Sequence, residues 1–302
     1  MMPIIVSVGS GKGGTGKSLV ASNVAAILSA RGENVYLLDL DVGGADAHVL
    51  YGLFKTEHTL TDFLCGRVSH LDEVATTLQS FHGLKLIVGT GETLRTANMP
   101  YGTKKRLIKQ IRHLSADIVI VDVGAGTNLN TLDFFIASDI QVCVSTLDPT
   151  SILDFYRFLK LATIRKVLSS FLARDEVTKA ISQRDFQKID EVLEFADKVK
   201  PGAGEVAKRA LEDFTPALIL NQVRSGNSAM DRIKLKHVVT RFLGIELPEL
   251  GVIPWDEKVI EAIRSYMPVV EYAPESKASL ALRDVGRNLL ALINRKRAEM
   301  ER

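Results

Sequence analysis

Cysteine is scarce in this chain, which has two among its 302 residues. Cys65 and Cys143 lie far apart and form no CxxC motif, which excludes a disulfide framework and a four-cysteine metal cluster within one chain. We expect both cysteines to be buried and to pack as small hydrophobic residues. The spacing of the six histidines matches no metal-ligand pattern either.

Long apolar runs and an excess of one charge are missing too. No stretch reaches the roughly 18 apolar residues of a membrane-spanning helix, and no signal peptide is recognisable. The 38 basic and 36 acidic residues leave a net charge of +2, which predicts no strong electrostatic partner. With 46% hydrophobic and 25% charged residues, the composition indicates a globular cytoplasmic protein.

The chain does contain a regular alternation of strand-like and helix-like segments. The run Ile-Val-Ile-Val-Asp at 118–122 is typical of a strand buried on both faces. Such alternation predicts an α/β fold in which a mostly parallel sheet is sandwiched by helices. Strands are predicted at 4–8, 35–39, 84–88, 118–122, 140–145, 217–221 and 249–253. Helices are predicted at 17–30, 103–114, 129–137, 150–172, 228–243, 256–266 and 276–297.

A glycine-rich segment joins the first predicted strand to the first helix. Residues 11–18 read GKGGTGKS and fit G-x-x-x-x-G-K-[ST], a loop whose glycines let backbone amides approach phosphate groups closely. The following helix adds its unpaired N-terminal amides. We expect Lys17 to reach the β and γ phosphates and Ser18 to hold Mg²⁺. A chance glycine-rich turn is the alternative, and the flanking strand and helix disfavour it.

A second lysine, Lys12, follows the first glycine of the same motif. It lies inside the loop, where we expect its side chain to be directed away from the nucleotide of its own subunit. Phosphoanhydride hydrolysis is accelerated when a neighbouring molecule supplies an extra cation to the transition state. Lys12 therefore suits a nucleotide that faces a second subunit.

Acidic residues mark the ends of two predicted strands. Asp39 and Asp41 are directed to the same side of an extended strand, and Asp122 ends the buried strand. Carboxylates beside a γ phosphate hold metal-bound waters and orient an attacking water. Small residues after Asp122, including Gly126, would let backbone amides approach that phosphate. A helix cap is the alternative role for Asp122.

These motifs resemble the MinD/ParA group of P-loop ATPases, and in particular its MinD/FlhG branch. The deviant Walker A motif of the group, K-G-G-x-G-K-[ST], matches residues 12–18. The resemblance extends over most of the chain outside 173–214. The other similar segments are switch I at 39–43, switch II at 122–126, and residues 148–152, 220–221, 251–256, 268–270 and 276–290.

The resemblance implies a role for each matching position. Lys12, Lys17 and Asp41 would be catalytic, with Lys12 on the partner subunit's nucleotide and Asp41 orienting the hydrolytic water. Ser18, Asp39 and Asp122 would hold Mg²⁺, the two aspartates through waters. Asn221 and the loop 254–256 would frame adenine. ATP or ADP would be bound by Gly11, Lys12, Gly13, Gly14, Thr15, Gly16, Lys17, Ser18, Gly126, Asn221, Pro254, Trp255 and Asp256.

Members of this group act as switches, because ATP drives dimerisation and a partner stimulates the slow hydrolysis that resets the dimer. The resemblance therefore implies a slowly hydrolysing, Mg²⁺-dependent ATPase that forms an ATP-dependent homodimer and organises cellular machinery in space. Flagellar number, division-site placement and chromosome or plasmid partition all remain open. The sequence departs from the group in two places: Gly124 stands where many members have proline, and 46–48 (Asp-Ala-His) replaces asparagine, leucine and aspartate of the MinD branch.

One charged segment, 173–214, interrupts the alternation. Apolar residues recur at helical spacing from 186 to 196, and the sequence PGAG at 201–204 breaks the helix before it resumes at 205–214. We predict a helical hairpin inserted into a single ATPase domain that spans 1–302. The insert either covers the sheet edge, binds a partner or modulates the dimer.

The dimer has three kinds of candidate target. The apolar stripe at 278–293 is predicted to pack on the sheet rather than on a membrane, because only Met300 is apolar beyond it. Basic patches at 104–106, 232–237 and 295–297 suit nonspecific DNA binding, but acidic residues offset each of them. Protein partners are favoured, and peripheral association with the nucleoid, pole or membrane stays open.

Other functions fit the same scaffold. A ParA-type partition ATPase would bind DNA nonspecifically. An iron–sulfur carrier needs cysteines that bridge the dimer, and neither cysteine lies in a suitable motif. An amidoligase would lack the D-x-D pattern of switch I. A nonhydrolysing scaffold or a tyrosine kinase is the last alternative, but the kinase relatives carry a C-terminal tyrosine cluster, and no tyrosine follows Tyr272.

Overall fold

The computed structural model describes residues 2–41, 47–81, 83–89, 99–224 and 228–301. The strands are β1 Ile4–Ser10, β2 Val35–Leu40, β3 Ala75–Thr77, β4 Lys85–Ile87, β5 Ile118–Ala125, β6 Ile140–Ser145, β7 Ala217–Val223 and β8 Glu249–Pro254. They form one eight-stranded sheet in the order β3-β4-β2-β5-β1-β6-β7-β8. β3 is antiparallel to β4, and the other neighbouring pairs within the described sheet are parallel.

Helices cover both faces of the sheet, which confirms the predicted α/β sandwich. The α-helices of the described residues are α1 Lys17–Ser29, α2 Leu60–Leu64, α3 Tyr101–Ile111, α4 Leu129–Ile136, α5 Pro149–Leu168, α6 Glu176–Ser182, α7 Ile189–Val199, α8 Ala203–Glu212, α9 Ser228–Leu243, α10 Glu257–Arg264, α11 Val269–Tyr272 and α12 Lys277–Met300. Helices α1, α10, α11 and α12 lie on one face, and α3, α4, α5 and α9 lie on the other.

The continuous apolar run of β5 is explained by burial on both faces of the sheet. Ile118 and Ile120 pack into the core that lies under α1 and α12. Val119 and Val121 pack into the core on the opposite face. Because successive side chains of a strand alternate between faces, a central parallel strand has no solvent-facing positions to fill with polar residues.

The structure differs from the sequence prediction around residues 60–77. The short helix α2 and the three-residue strand β3 lie in this segment, and both are too short for periodicity to reveal them. Cys65 directly follows α2 and is exposed, so the expectation of a buried side chain was wrong there. Cys143 is buried in β6, and this burial raises the pKa of its thiol.

The segment 173–214 folds as three helices, α6, α7 and α8, where a two-helix hairpin was predicted. The additional helix, α6, begins where the Asp175 carboxylate accepts a hydrogen bond from Val177 N. The three helices share a small core of their own, which includes Ile181, Phe186 and Val192. Val167 and Leu168 at the end of α5 belong to the same core, so the insert is joined to the sheet through α5.

The C-terminal helix α12 packs its apolar stripe into the main core. Leu282, Val285, Leu289 and Ile293 are buried there, as predicted from their spacing. Near the end of α12, Arg297 donates hydrogen bonds of 3.1 and 2.7 Å to the two carboxylate oxygens of Glu33. Within the described ranges, the helices are all too short or too polar to cross a bilayer.

Candidate functional site

The glycine-rich loop connects β1 to α1 at the carboxyl end of the sheet, as the motif predicts. Two of its glycines are required by close contacts. A Cβ atom at Gly11 would overlap the carbonyl oxygen of Asp154 in α5. Gly16 has a φ of +84°, and a Cβ atom there would overlap Asn221 Nδ2. The loop therefore fits tightly between α5 and the end of β7.

Lys17 is the centre of a buried cluster of charges at this edge. Its Nζ lies 2.5 Å from Asp122 Oδ1, 3.4 Å from Asp41 Oδ2 and 3.5 Å from Ser18 Oγ. Burial acts to lower the pKa of Lys17, but the hydrogen bond to Asp122 and the charges of Asp122, Asp41 and Asp39 together outweigh it, and the pKa is raised. The ammonium group is therefore retained at neutral pH, ready to bind an anion.

The parallel pairing of β2 with β5 places Asp39 beside Asp122 in register. Asp39 Oδ1 accepts a hydrogen bond from Asp41 N, and Oδ2 accepts one from Ala47 N. Burial, together with the negative charge of Asp122, raises the pKa of Asp39 to about 8. Burial also raises the pKa of Asp122, and the adjacent Lys17 ammonium opposes part of that increase.

The donor set of this cluster fits a magnesium ion. Asp122 Oδ2 is buried and has no hydrogen-bond partner in the part of the chain that the structure describes. Carboxylate and hydroxyl oxygens are the ligands that Mg²⁺ prefers, and it retains several waters when few protein ligands are present. Asp39, Asp122 and Ser18 supply such oxygens around Lys17, so the residues present suit a hydrated Mg²⁺ bound together with phosphate.

Lys12 lies apart from this buried cluster. Its side chain is exposed, and its Nζ donates a 3.0 Å hydrogen bond to Thr150 Oγ1 at the start of α5. The two lysines of the loop are thus separated, with Lys17 inside the site and Lys12 on the surface beside it. Thr150 belongs to a segment that the sequence analysis singled out at 148–152, although this contact has no signal in the sequence.

Switch II closes onto the phosphate loop from the end of β5. Gly126 has a φ of +87°, and its N–H donates a 3.0 Å hydrogen bond to the carbonyl oxygen of Ser10. A Cβ atom at Gly124 would lie 3.4 Å from Asp41 Oδ1, so a side chain at this position of switch II would meet Asp41 of switch I. Val42, Gly43 and Asp46, which the sequence analysis also named, lie outside the described residues.

The proposed adenine-framing residues are only partly brought to the loop. Asn221 Nδ2 donates a 2.9 Å hydrogen bond to the carbonyl oxygen of Thr15. Trp255 is half-buried, and the guanidinium group of Arg224 stacks 4.7 Å from its ring centroid. The Asp256 carboxylate instead accepts hydrogen bonds from Lys258 N and Ala278 N, so it joins α10 to α12. Pro254 ends β8 beside this loop.

One loop contact was missed by the sequence analysis. Gln222 Nε2 donates a 3.1 Å hydrogen bond to the carbonyl oxygen of Gly14. Its backbone φ of +58° is unusual for a residue other than glycine. No pattern in a single sequence distinguishes this glutamine from an ordinary strand residue, because the contact depends on that local conformation.

A groove runs from the phosphate loop to the insert along α5. Its volume is about 690 Å³. Gly11 and Thr127 line the end nearest the site, and Ile181 and Phe186 line the end formed by the insert. Surfaces of the insert and of the nucleotide site are therefore continuous.

Many cations of the three predicted basic patches are already paired. Lys104 binds Asp133 in a buried ion pair, and Arg106 donates to the carbonyl oxygen of Phe63. In the other two patches, the ion pairs among the described residues are Arg232 and Lys236 with Glu249, Lys234 with Asp231, Lys296 with Glu299, and Arg297 with Glu33. These pairings reduce the charge that each patch could offer to DNA.

A family model described as the CobQ/CobB/MinD/ParA nucleotide binding domain matches residues 6–269. The chain belongs to this family. The matched range contains the glycine-rich loop, both acidic strand ends and Asn221, and it confirms the resemblance to the MinD/ParA group. The glycine-rich loop is therefore the phosphate-binding loop of a MinD/ParA-family protein.

Individual relatives agree with this assignment. The chain is 30% identical over 292 residues to the antiactivator FleN of Pseudomonas aeruginosa, covering 96% of this chain and 87% of FleN. It is 31% identical over 188 residues to the flagellum site-determining protein YlxH of Helicobacter pylori, covering 60% and 63% of the two proteins. The fold is similar to that of septum site-determining MinD from Pyrococcus horikoshii, complexed with Mg-ADP, with a TM-score of 0.67, 22% identity and coverage of 98% and 99%.

Proposed function

We propose that this protein is a slowly hydrolysing, Mg²⁺-dependent ATPase that acts as an ATP-dependent dimerisation switch. The observation that carries the proposal is the separation of the two loop lysines. Lys17 is buried among Asp122, Asp41 and Ser18, where it serves the nucleotide of its own subunit. Lys12 is exposed at the mouth of the same loop, where a second subunit can approach.

In this mechanism, the residues of one subunit bind and orient the nucleotide. Lys17 donates hydrogen bonds to the β and γ phosphates, and the amides of the loop surround them. Ser18, Asp39 and Asp122 would hold Mg²⁺, and a bound Mg²⁺ would neutralise phosphate charge. Asp41 orients the water that attacks the γ phosphate. Asn221 and the loop at 254–256 flank the base.

Lys12 completes the site across the dimer. Once released from Thr150, its ammonium group can reach the phosphates of the facing subunit and stabilise the charge that develops in the transition state. Hydrolysis then depends on dimerisation, and loss of the γ phosphate removes the contact that holds the dimer together. A single domain spanning 1–302 with this property works as a switch.

We propose spatial organisation of cellular machinery as the process, with a protein partner that stimulates hydrolysis. The similarity to FleN and YlxH, whose names refer to an antiactivator and to flagellum site determination, supports this choice. DNA binding is the second candidate, but the paired cations of the basic patches do not favour it. A membrane target is not favoured either, because α12 is packed into the core.

Light-scattering mass in the presence of Mg-ATP or Mg-ADP tests the switch. Wild type should be dimeric with ATP and monomeric with ADP. Asp41→Ala should stabilise the ATP dimer because hydrolysis is blocked, and Lys12→Ala should abolish it. Lys208→Ala, which removes an exposed lysine of the insert, is the matched control and should behave as wild type. A mass that is independent of the nucleotide would refute the proposal.

The Asp41→Ala dimer also tests the class of target. It should not bind linear duplex DNA or phospholipid vesicles at physiological salt. If the dimer bound either one, that target would replace the protein partner in this proposal. For DNA, the dependence of the affinity on salt concentration would show how many phosphate contacts are made.

A further inference from the structure

Gln222 has a strained backbone at the carboxyl end of β7. Among the described residues other than glycine, Gln222 and Tyr266 have positive φ angles, of +58° and +54°. A left-handed conformation is unfavourable for residues with a Cβ atom, and such strain persists where the surrounding structure requires it. The pairing of β7 with β8 shifts register between Leu220 and Val223, across this position.

The conformation has a direct consequence for two neighbouring side chains. Successive residues of a regular strand are directed to opposite faces, so Asn221 and Gln222 would normally diverge. Here both reach the phosphate loop. Asn221 Nδ2 donates to the carbonyl oxygen of Thr15 at 2.9 Å, and Gln222 Nε2 donates to that of Gly14 at 3.1 Å. The left-handed backbone at Gln222 lets two adjacent amide side chains bind two adjacent carbonyl groups.

These hydrogen bonds orient the amides of the loop. In a trans peptide, the C=O and N–H groups are directed to opposite sides of the chain. The peptide that carries the Gly14 carbonyl also carries the Thr15 N–H, and the Thr15 carbonyl shares its peptide with the Gly16 N–H. Holding both carbonyl groups towards β7 therefore turns both N–H groups away from it. Successive N–H groups with this orientation form an anion-binding nest.

We infer that Gln222 is a positioning residue of the phosphate loop, which together with Asn221 pre-orients the loop amides for the nucleotide phosphates. The inference rests on the proposed function, since it requires that the loop binds a nucleotide. Gln222 itself need not touch the nucleotide. Its contribution is the hydrogen bond to Gly14, obtained at the expense of an unfavourable φ.

Replacing Gln222 by glycine separates this role from simple structural support. Glycine adopts a positive φ without strain, so Gln222→Gly relieves the backbone while removing the hydrogen bond. We expect the midpoint of urea unfolding to stay the same or rise. The Kd for Mg-ADP, measured by calorimetric titration, should increase about three- to tenfold, the weight of one net hydrogen bond. Affinity and stability would thus change in opposite directions.

Two further variants make the test specific. Gln222→Glu keeps the size of the side chain but places a carboxylate oxygen against the Gly14 carbonyl, so it should weaken Mg-ADP binding at least as much as glycine does. Tyr266→Gly changes the other residue with a positive φ, which contacts Phe54 and lies outside the loop. This control should leave the Kd for Mg-ADP unchanged.

The outcomes distinguish the inference from the proposed function. If wild type binds Mg-ADP and both Gln222 variants bind it equally well, the inference is overturned while the proposed function stands. If Gln222→Gly loses affinity and stability together, Gln222 only supports the fold and the positioning role is again overturned. Failure of wild type to bind Mg-ADP would refute the proposed function itself.

Discussion

The two ends of the parallel sheet satisfy their polar groups in opposite ways. At the amino end, Asp139 accepts hydrogen bonds from Ile5 N and from Arg112. Asp117 accepts one from Asn34 N at the same end. Each of these carboxylates joins two segments that are distant in sequence, so the polar groups at this end contribute to stability.

The carboxyl end instead contains a strained backbone at Gln222 and buried polar atoms that have no hydrogen-bond partner among the described residues. Asp39 and Asp122 are buried beside one lysine, Lys17, and burial raises the pKa of both carboxyls. Within the described residues, four buried side-chain atoms have no hydrogen-bond partner, and two of them, Asp122 Oδ2 and Thr15 Oγ1, belong to this end. Unsatisfied buried groups are costly, and a bound ligand would satisfy these two.

This contrast predicts that stability and ligand binding are divided between the two ends. Substitutions at the amino end should lower the free energy of unfolding and leave nucleotide affinity alone. Substitutions at the carboxyl end should lower nucleotide affinity, and in the ligand-free protein some of them should leave stability unchanged or raise it. The predictions that follow test this division, beginning with the largest expected effect.

Lys17→Ala should have the largest effect. It removes two or more charge-assisted hydrogen bonds to phosphate oxygens, each contributing about 1.5 to 3 kcal/mol. The affinity for Mg-ADP should therefore fall about a hundredfold or more in calorimetric titration. Lys104→Ala is the matched control, because Lys104 is also a buried lysine, paired with Asp133 at 2.5 Å. Equal loss of binding in the two variants would contradict a special role for Lys17.

Asp139→Ala, at the amino end, should lower the stability of the protein rather than its nucleotide affinity. It leaves the Ile5 N–H and the Arg112 guanidinium without their acceptor, in a site where the Asp139 side chain is 12% exposed. The free energy of unfolding should fall by about 2 to 4 kcal/mol, measured by urea denaturation. Mg-ADP affinity should stay within twofold of wild type. A large loss of Mg-ADP affinity without a loss of stability would contradict the proposed division between the two ends of the sheet.

Asp39 should make the nucleotide-free, magnesium-free protein less stable as the pH rises. Its pKa is raised from 3.8 to about 8 by burial and by Asp122, so the folded state retains a proton that the unfolded state has lost. Stability from this group is therefore present below pH 4 and is lost as the pH rises towards 8. Between pH 6 and 8, wild type should lose about 1 to 3 kcal/mol relative to Asp39→Asn in urea denaturation. Parallel pH profiles would show that Asp39 is ionised throughout this range.

Arg297→Ala should have the smallest effect. The pair of Arg297 with Glu33 is partly exposed, with side-chain exposures of 23% and 18%, and such pairs contribute about 1 kcal/mol or less. The urea midpoint should fall slightly and Mg-ADP affinity should not change. Arg287→Ala is the control on the same helix, because the side chains of the Arg287–Asp284 pair are more exposed, at 64% and 60%. If Arg287→Ala lowered the urea midpoint more than Arg297→Ala, the expected contribution of the Arg297–Glu33 pair to stability would be contradicted.

Much of this molecule could be predicted from local sequence. The alternation of apolar strands and amphipathic helices predicted the sandwich, because periodicity reports which faces of an element are buried. The glycine-rich motif placed the phosphate loop between β1 and α1, because only that spacing delivers amides and Lys17 to one point. The strand-end positions of Asp39 and Asp122 brought them to the same edge, because parallel strands share one carboxyl end.

The tertiary structure alone decided the features that depend on distant partners. Lys12 and Thr150 are 138 positions apart, and Gln222 and Gly14 are 208 apart, so no local pattern encodes their hydrogen bonds. The exposure of Cys65 and the third helix of the insert were likewise set by packing. Local sequence determined most of the strands and helices and where chemistry is concentrated. Only the assembled sheet determined which side chains meet, because contact between distant segments depends on the register and packing of every element between them.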